Sequence, residues 1–324
     1  MLALNILLLV VGFAALIKGA DFFVDGSSAL ARTFRVPSVI IGLTIVALGT
    51  SAPELAVSTS AAVAGANEIA LSNVVGSNIF NLLMVLGVCA VIRPIPIDKS
   101  ILKRDFPLSI VATAAVLAAL GLPLLFGGLP QNATMLTDVG VISRPLGIVL
   151  MAAFIIYLVV LIVQARKHKT EESDAPNMPV WKSVLLIVVG IVCIVLGGQL
   201  VVENAKSIAA FFGMSETLIG LTVVALGTSL PELVTSIVAA RKGENGLAVG
   251  NVVGSNLFNL LLILGVSAAI HPIAVNLASV LDLGILLLVS AVTFIFCFTK
   301  KISRAEGAVM VLLYIGTVVF AIVR

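Results

Sequence analysis

The sequence predicts an all-α membrane protein with ten transmembrane helices arranged as two inverted five-helix repeats. Three observations predict it: an extreme apolar composition, apolar runs of spanning length, and an internal duplication with an odd number of helices per copy. Of 324 residues, 60% are hydrophobic and only 11% charged, against roughly 25% charged in soluble domains. Apolar runs recur along the whole chain at about the 20 residues a helix needs to cross the hydrocarbon core. A β-barrel is excluded, because barrel strands alternate apolar and polar residues over about ten positions.

Taken in order, the expected spans are 2–18, 37–64, 72–92, 106–126, 145–165, 183–201, 216–240, 247–270, 281–298 and 307–323. The first has no basic leader, and Gly19-Ala20-Asp21 is a poor cleavage site, so it reads as a mature helix and not as a signal peptide. Cys89, Cys193 and Cys297 each lie alone in an apolar run and read as packing residues, with no redox or zinc signature. The net charge of +3 reflects topology. The 1–2, 3–4, 5–6, 7–8 and 9–10 connections hold 16 of the 19 Lys and Arg residues, while Arg144, Lys206 and Arg324 fall on the other side. The positive-inside rule then puts both termini outside a plasma (inner) membrane. No nucleic-acid partner is expected, and protein partners are left open.

The duplication is direct. GLTIVALGTSAPEL at 42–55 returns as GLTVVALGTSLPEL at 220–233, differing only at Ile45/Val223 and Ala52/Leu230. NVVGSNIFNLL at 73–83 returns as NVVGSNLFNLL at 251–261, again 178 residues later, and the same offset aligns Gly12 with Gly190, Gly19 with Gly197 and Pro94 with Pro272. The halves are 1–165 and 181–324, joined by a charged, proline-containing linker at 166–180 that reads as a cytoplasmic loop. Five helices per half make the second copy enter the membrane from the opposite side. That is the architecture of many secondary transporters, which bind at the midplane where the halves meet.

Within the repeated stretch, Pro53 has no N–H to donate and crowds the carbonyl of Gly49, so the helix is expected to unwind or kink around 47–53. Broken backbone in a bilayer survives only where it is buried in protein or lines a polar cavity. Its carbonyls, with the hydroxyls of Thr50 and Ser51, are hard oxygen ligands. Glu54 and Glu232 are the acidic residues read as deep in apolar spans. A carboxylate at the bilayer centre costs about 2.5–3.5 kcal/mol, and no Lys, Arg or His lies at a comparable depth to offset it. A bound cation or a proton remains.

Ser77 and Asn81 share one helix face, as do Ser255 and Asn259. Interhelical hydrogen bonding is the bland reading of such residues. Beside two glutamates, a ligand role is the better one for Asn81 and Asn259, and packing is kept for Asn78 and Asn256. An all-oxygen donor set without thiolate or imidazole suits Ca²⁺ or Na⁺, and two carboxylates balance one divalent ion.

These doubled motifs resemble the paired α-repeats of the calcium/cation antiporter superfamily, nearest to its prokaryotic sodium/calcium exchangers. The resemblance spans the chain. It implies that helices 2, 3, 7 and 8 form a core across which helices 1 and 6 slide. It also implies Ca²⁺ at Glu54 and Glu232 with the carbonyls of Thr50 and Thr228. Na⁺ sites would draw on the carbonyls of Ala47 and Ala225 and on Thr50, Ser51, Ser77, Thr228, Ser229 and Ser255, with Asn81 and Asn259 lining the middle. Potassium-dependent branches carry Asp at one of those two positions, and here both are Asn.

The implied activity is antiport of Na⁺ for Ca²⁺ by alternating access, with the transported ions as the only cargo and no cofactor. A proton-coupled antiporter of Ca²⁺ or another cation is the alternative. An intramembrane hydrolase using Ser51 or Ser229 lacks a membrane-embedded His or Lys base, so no enzyme is expected. A channel fits less well with a closed, doubly carboxylated site.

Overall fold

The computed structural model describes residues 2–128, 133–167, 178–214 and 225–323. The first part of the expected seventh span and most of the expected linker lie outside these residues. Among the described residues, eight helices are long and apolar enough to cross a membrane, and a bent helix pair makes a ninth span. They are α1 (Leu2–Phe34), α2 (Ser38–Thr50 and Ala52–Val63), α3 (Ile69–Ile92), α4 (Ile101–Gly121), α5 (Arg144–Lys167), α6 (Val180–Phe211), α8 (Asn245–Ile270), α9 (Leu277–Cys297) and α10 (Arg304–Val323). Between α6 and α8, Leu230–Lys242 forms α7, the end of the seventh expected span.

Two spans differ from expectation. α1 and α6 have 33 and 32 residues, not stretches ending at 18 and 201. At about 1.5 Å per residue each is near 50 Å long, more than a hydrocarbon core of about 30 Å, so each tilts or projects beyond it. The charges that seemed to end α1 are helix-compatible and paired: Lys18 lies 3.6 Å from Asp21 one turn on. Lys18 therefore belongs to α1, not to the connection after it.

The two repeats interlock reciprocally. α1 and α6 run antiparallel along a seam of glycines. A Cβ on Gly12 would meet the carbonyl of Gly197, one on Gly19 the carbonyl of Gly190, and one on Gly26 the carbonyl of Ser183, all at 2.6–3.0 Å. Only residues without a side chain let two backbones come this close, the small-residue packing that joins helices in lipid. Gly12 and Gly19 are the repeat counterparts of Gly190 and Gly197, so each end of the seam mirrors the other.

The same exchange recurs elsewhere. α3 meets α10 through Gly87 and Gly307, and α8 meets α5 through Gly265 and Gly147. Phe80 stacks edge-on against Tyr314, and its counterpart Phe258 against Phe154. Two short ribbons, which no sequence period foretold, complete the pattern: β1 (Ile95–Pro96) pairs with β4 (Lys301–Ile302), and β2 (Asp138–Ile142) with β3 (Ile273–Asn276). Each ties a connection of one repeat to a connection of the other.

α3 and α8 are the most enclosed spans, buried over 72% and 78% of their apolar windows against 11–39% for the other unbroken spans. They form the centre of the bundle. Each contains a π-helical turn, at Asn81–Val85 and Phe258–Ile263, a local widening often found at functional positions. Cys89 and Cys297 are buried and all three cysteines are free.

Candidate ion-binding site

The proline break is a kink and not an unwound segment. The two arms of α2 meet at 50°, with Ser51 between them at φ −85°, ψ 9°. Pro53 falls in the first turn of the second arm, where its missing N–H is not needed. Ser229 repeats the geometry before α7, at φ −93°, ψ 4°, with Pro231 in the first turn. The Ser51 N–H still donates to the Ala47 carbonyl at 3.0 Å, and the Leu55 N–H to the Ser51 carbonyl at 3.1 Å. Ala47 is therefore not a freed carbonyl, although its oxygen keeps a second lone pair. Ala225 opens a short helical turn, Ala225–Gly227, just before the second kink.

Each kink presents its serine to the glutamate of the other repeat. Ser51 Oγ donates to Glu232 Oε1 at 2.8 Å and lies 2.9 Å from Ser255 Oγ. Ser229 Oγ donates to Glu54 Oε1 at 3.2 Å and lies 3.0 Å from Ser77 Oγ. Ser77 Oγ is itself 3.5 Å from Glu54 Oε1. One hydroxyl proton serves one acceptor, so the two chains read Ser255 to Ser51 to Glu232, and Ser77 to Ser229 to Glu54. All six side chains are buried. Among the described residues the partners of both carboxylates are hydroxyls, not cations.

Four asparagines brace α3 against α8. Asn81 Nδ2 donates to Asn256 Oδ1 at 3.2 Å and Asn259 Nδ2 to Asn78 Oδ1 at 3.0 Å. Asn78 and Asn256 each donate to the other's backbone carbonyl at 3.3 Å. The amide nitrogens of Asn81 and Asn259 are thus tied back, which fixes where their carbonyl oxygens point. Those two oxygens, with Oε2 of Glu54 and Oε2 of Glu232, are buried and have no hydrogen-bond partner among the described residues. An unpartnered buried oxygen calls for an explanation. Four of them, two on carboxylates, are oxygens of the kind that ligate a hard cation. No cluster of three or more His, Cys, Asp or Glu side chains exists among the described residues.

A surrounding layer was not singled out from sequence. Thr50 Oγ1 donates to Asn251 Oδ1 at 2.9 Å, and Asn251 Nδ2 reaches Ser236 Oγ at 3.0 Å and the Glu232 carbonyl at 3.4 Å. The image of this network joins Thr228, Asn73, Ser58 and the Glu54 carbonyl at 3.4, 2.9 and 3.4 Å. The Thr228 hydroxyl is thereby engaged outside the carboxylate cluster, whereas the Thr50 hydroxyl also lies within reach of the Glu232 carboxylate. The signal was present: Asn73 lies four residues before Ser77 on the same face, and Ser58 and Ser236 each lie four after a glutamate.

The comparisons with known proteins agree with this geometry. The family model described as sodium/calcium exchanger protein matches residues 4–163 and 182–323. The chain is 37% identical to the putative antiporter CaxA of Alkalimonas amylolytica, covering 94% of this chain and 95% of that protein. It is 32% identical to the sodium/calcium exchanger MaX1 of Methanosarcina acetivorans, covering 98% and 99%. Among solved structures, the sodium-calcium exchanger NCX_Mj soaked with 10 mM Na⁺ and zero Ca²⁺ superposes with a TM-score of 0.83 at 31% identity, over 98% of this chain and 99% of that one. The chain belongs to the sodium/calcium exchanger protein family and is a multi-pass membrane antiporter for calcium and other cations.

Proposed function

We propose that the protein exchanges Na⁺ for Ca²⁺ by alternating access, with Glu54 and Glu232 as the charged ligands of calcium. The observation that carries this reading is the reciprocal pair of buried carboxylates, each with one unpartnered oxygen, together with the unpartnered carbonyl oxygens of Asn81 and Asn259. Two negative charges balance one divalent ion where water is scarce, and the main-chain carbonyls of Thr50 and Thr228 add neutral oxygens. Na⁺ competes for the same carboxylates. Its remaining ligands are the carbonyls of Ala47 and Ala225 and the hydroxyls of Ser51, Ser77, Ser229 and Ser255, which turn from donating to a carboxylate to coordinating an ion. The names of MaX1 and NCX_Mj support sodium as the counter-ion.

In this reading residues 1–165 and 181–324 are the two inverted repeats, joined by a linker loop at 166–180. The face carrying the basic connections is cytoplasmic, both termini are outside, and the membrane is the plasma (inner) membrane. Inorganic cations and the bilayer are the partners.

Calcium uptake into proteoliposomes tests the proposal. An outward Na⁺ gradient is expected to drive uptake at equal pH on both sides. Uptake driven by a pH gradient in the absence of Na⁺, and unaffected by a Na⁺ gradient, would replace this reading with proton coupling.

A further inference from the structure

The two mouths of the site are not alike. On the basic face, Lys242 at the end of α7 lies 2.7 Å from Asp25 and 3.3 Å from Asp21, both on α1. Its ammonium also donates to the Asp21 backbone carbonyl at 3.2 Å. Next to it, Arg32 at the end of α1 pairs with Glu244, just beyond α7, at 3.2 Å. The repeat offset shows what stands at the other mouth. Lys242 corresponds to Ala64, Asp21 to Gln199, Asp25 to Glu203, Arg32 to Ala210 and Glu244 to Ala66. None of these counterpart pairs can form an ion pair.

There, between the second arm of α2 and α6, a cavity of about 260 Å³ runs past Pro53, Val57, Gln199, Val202 and Glu203 to Thr228. Thr228 is half-buried, whereas its counterpart Thr50 is fully buried. One mouth is bridged by charge and shut; at the other, where Lys206 lines the cavity beside Glu203, no ion pair joins α6 to the second arm of α2 among the described residues.

We propose that Lys242, with Asp21 and Asp25, is an ionic latch that closes the basic-side mouth. Because the counterpart residues Ala64, Gln199 and Glu203 cannot repeat it, the latch biases the unloaded protein toward the state open to the opposite side. The inference rests on the alternating-access reading above. In a carrier built from inverted repeats, each state closes one mouth by the contacts with which the other state closes the other. Identical repeats would make the two states equal in energy, and ion pairs that one repeat position carries and its counterpart lacks break the tie.

The magnitude suits a latch that must open in every cycle. The Lys242, Asp21 and Asp25 side chains are 32%, 31% and 52% exposed. Pairs of that exposure shift an equilibrium by about two- to five-fold each, enough to set a preference without locking it. Once Lys242 withdraws, Asp21 and Asp25 line the basic-side mouth as Gln199 and Glu203 line the open one.

Cysteine accessibility in ion-free proteoliposomes tests this without requiring transport. In a background with Cys89, Cys193 and Cys297 replaced by serine or alanine, the reporters are Val202→Cys in the open cavity and Val24→Cys, its counterpart at the shut mouth. Lys242→Met is expected to slow labelling of Val202→Cys and to speed labelling of Val24→Cys, each about two- to five-fold. Ala64→Lys, which offers Glu203 a partner, is expected to do the reverse, and adding Glu203→Gln is expected to cancel its effect. Unchanged rates in both variants, or rates at both reporters moving in the same direction, would overturn the latch. Since labelling is read without ions or flux, a failure of sodium coupling leaves this outcome readable on its own.

Discussion

The hydroxyl of Ser51, at the kink of α2, lies 2.8 Å from a carboxylate oxygen of Glu232 in the opposite repeat. The reverse contact, Ser229 to Glu54, measures 3.2 Å. Each glutamate is therefore oriented by the half of the protein that it does not belong to. A movement of one repeat against the other is felt directly at both carboxylates, which in the proposed mechanism couples ion binding to the change of access. Hydrogen bonds to charged groups contribute about 1.5–3 kcal/mol. Ser51→Ala is thus expected to raise the calcium KM about ten-fold or more, measured by calcium uptake into proteoliposomes. An unchanged KM would mean that the hydroxyl does not hold Glu232 for the ion.

Removing either charge has a larger consequence. Glu54→Gln and Glu232→Gln keep shape and remove one of two negative charges facing a divalent ion in a poorly solvated site. Calcium transport is expected to fall below detection in each, with the thermal unfolding midpoint in detergent held or raised, because an uncompensated buried charge has gone. Near-normal calcium flux in either variant would take that carboxylate out of the site.

Both glutamates were legible from sequence because charge within an apolar run contradicts its surroundings, and the duplication made the contradiction appear twice. The inverted repeat was legible for the same reason. What escaped was whatever lacks a period or a contrast. β1 and β4 are two residues long, too short for alternation to show. Asp21 and Asp25 looked like the end of a span, because hydropathy cannot tell a loop from a long helix whose acids meet a lysine on another helix. The amides of Asn78 and Asn256 read as packing, and they do pack, but they also aim the carbonyls of Asn81 and Asn259. That relation exists only between helices.

The proposed sidedness rests on the basic connections. Leu136 and Lys99 are both exposed, one beside β2 and the other beside β1, on opposite faces of the bundle. In intact cells a membrane-impermeant thiol reagent is expected to label Leu136→Cys and to miss Lys99→Cys, in a background free of native cysteines. The reverse pattern would invert the topology.

The glycine seam sets a limit on α1 and α6. A Cβ on Gly190 would lie 2.7 Å from the Phe23 amide nitrogen and 2.8 Å from the Gly19 carbonyl, both backbone atoms that cannot rotate away. Gly190→Ala is expected to lower stability by about 1–3 kcal/mol, as overpacking does, visible as a lower unfolding midpoint and reduced flux. Gly316→Ala in α10, where an added Cβ meets nothing within 4 Å, is the control and is expected to be neutral or slightly stabilising, since alanine favours helix. Equal midpoints in the two variants would show that α1 and α6 do not rely on close approach.

The asparagine brace separates site from scaffold. Asn259 Nδ2 donates to Asn78 Oδ1 at 3.0 Å, and its own carbonyl oxygen is among those without a partner. Asn259→Asp replaces that donor with an acceptor and adds a third negative charge beside the carboxylates. The empty variant can relieve both by taking up a proton or a monovalent cation. Its ion dependence is therefore expected to change more than its stability, with calcium transport turning sensitive to pH or to K⁺. Asn256 differs, because its Oδ1 already accepts from Asn81 and its Nδ2 already donates to the Asn78 carbonyl. Asn256→Asp keeps the acceptor, loses the donor and buries a charge in the brace, so it is expected to reduce expression and the unfolding midpoint. Calcium uptake across pH and K⁺ concentration, paired with thermal unfolding, reads both effects. Wild-type ion dependence in Asn259→Asp would return that residue to the scaffold.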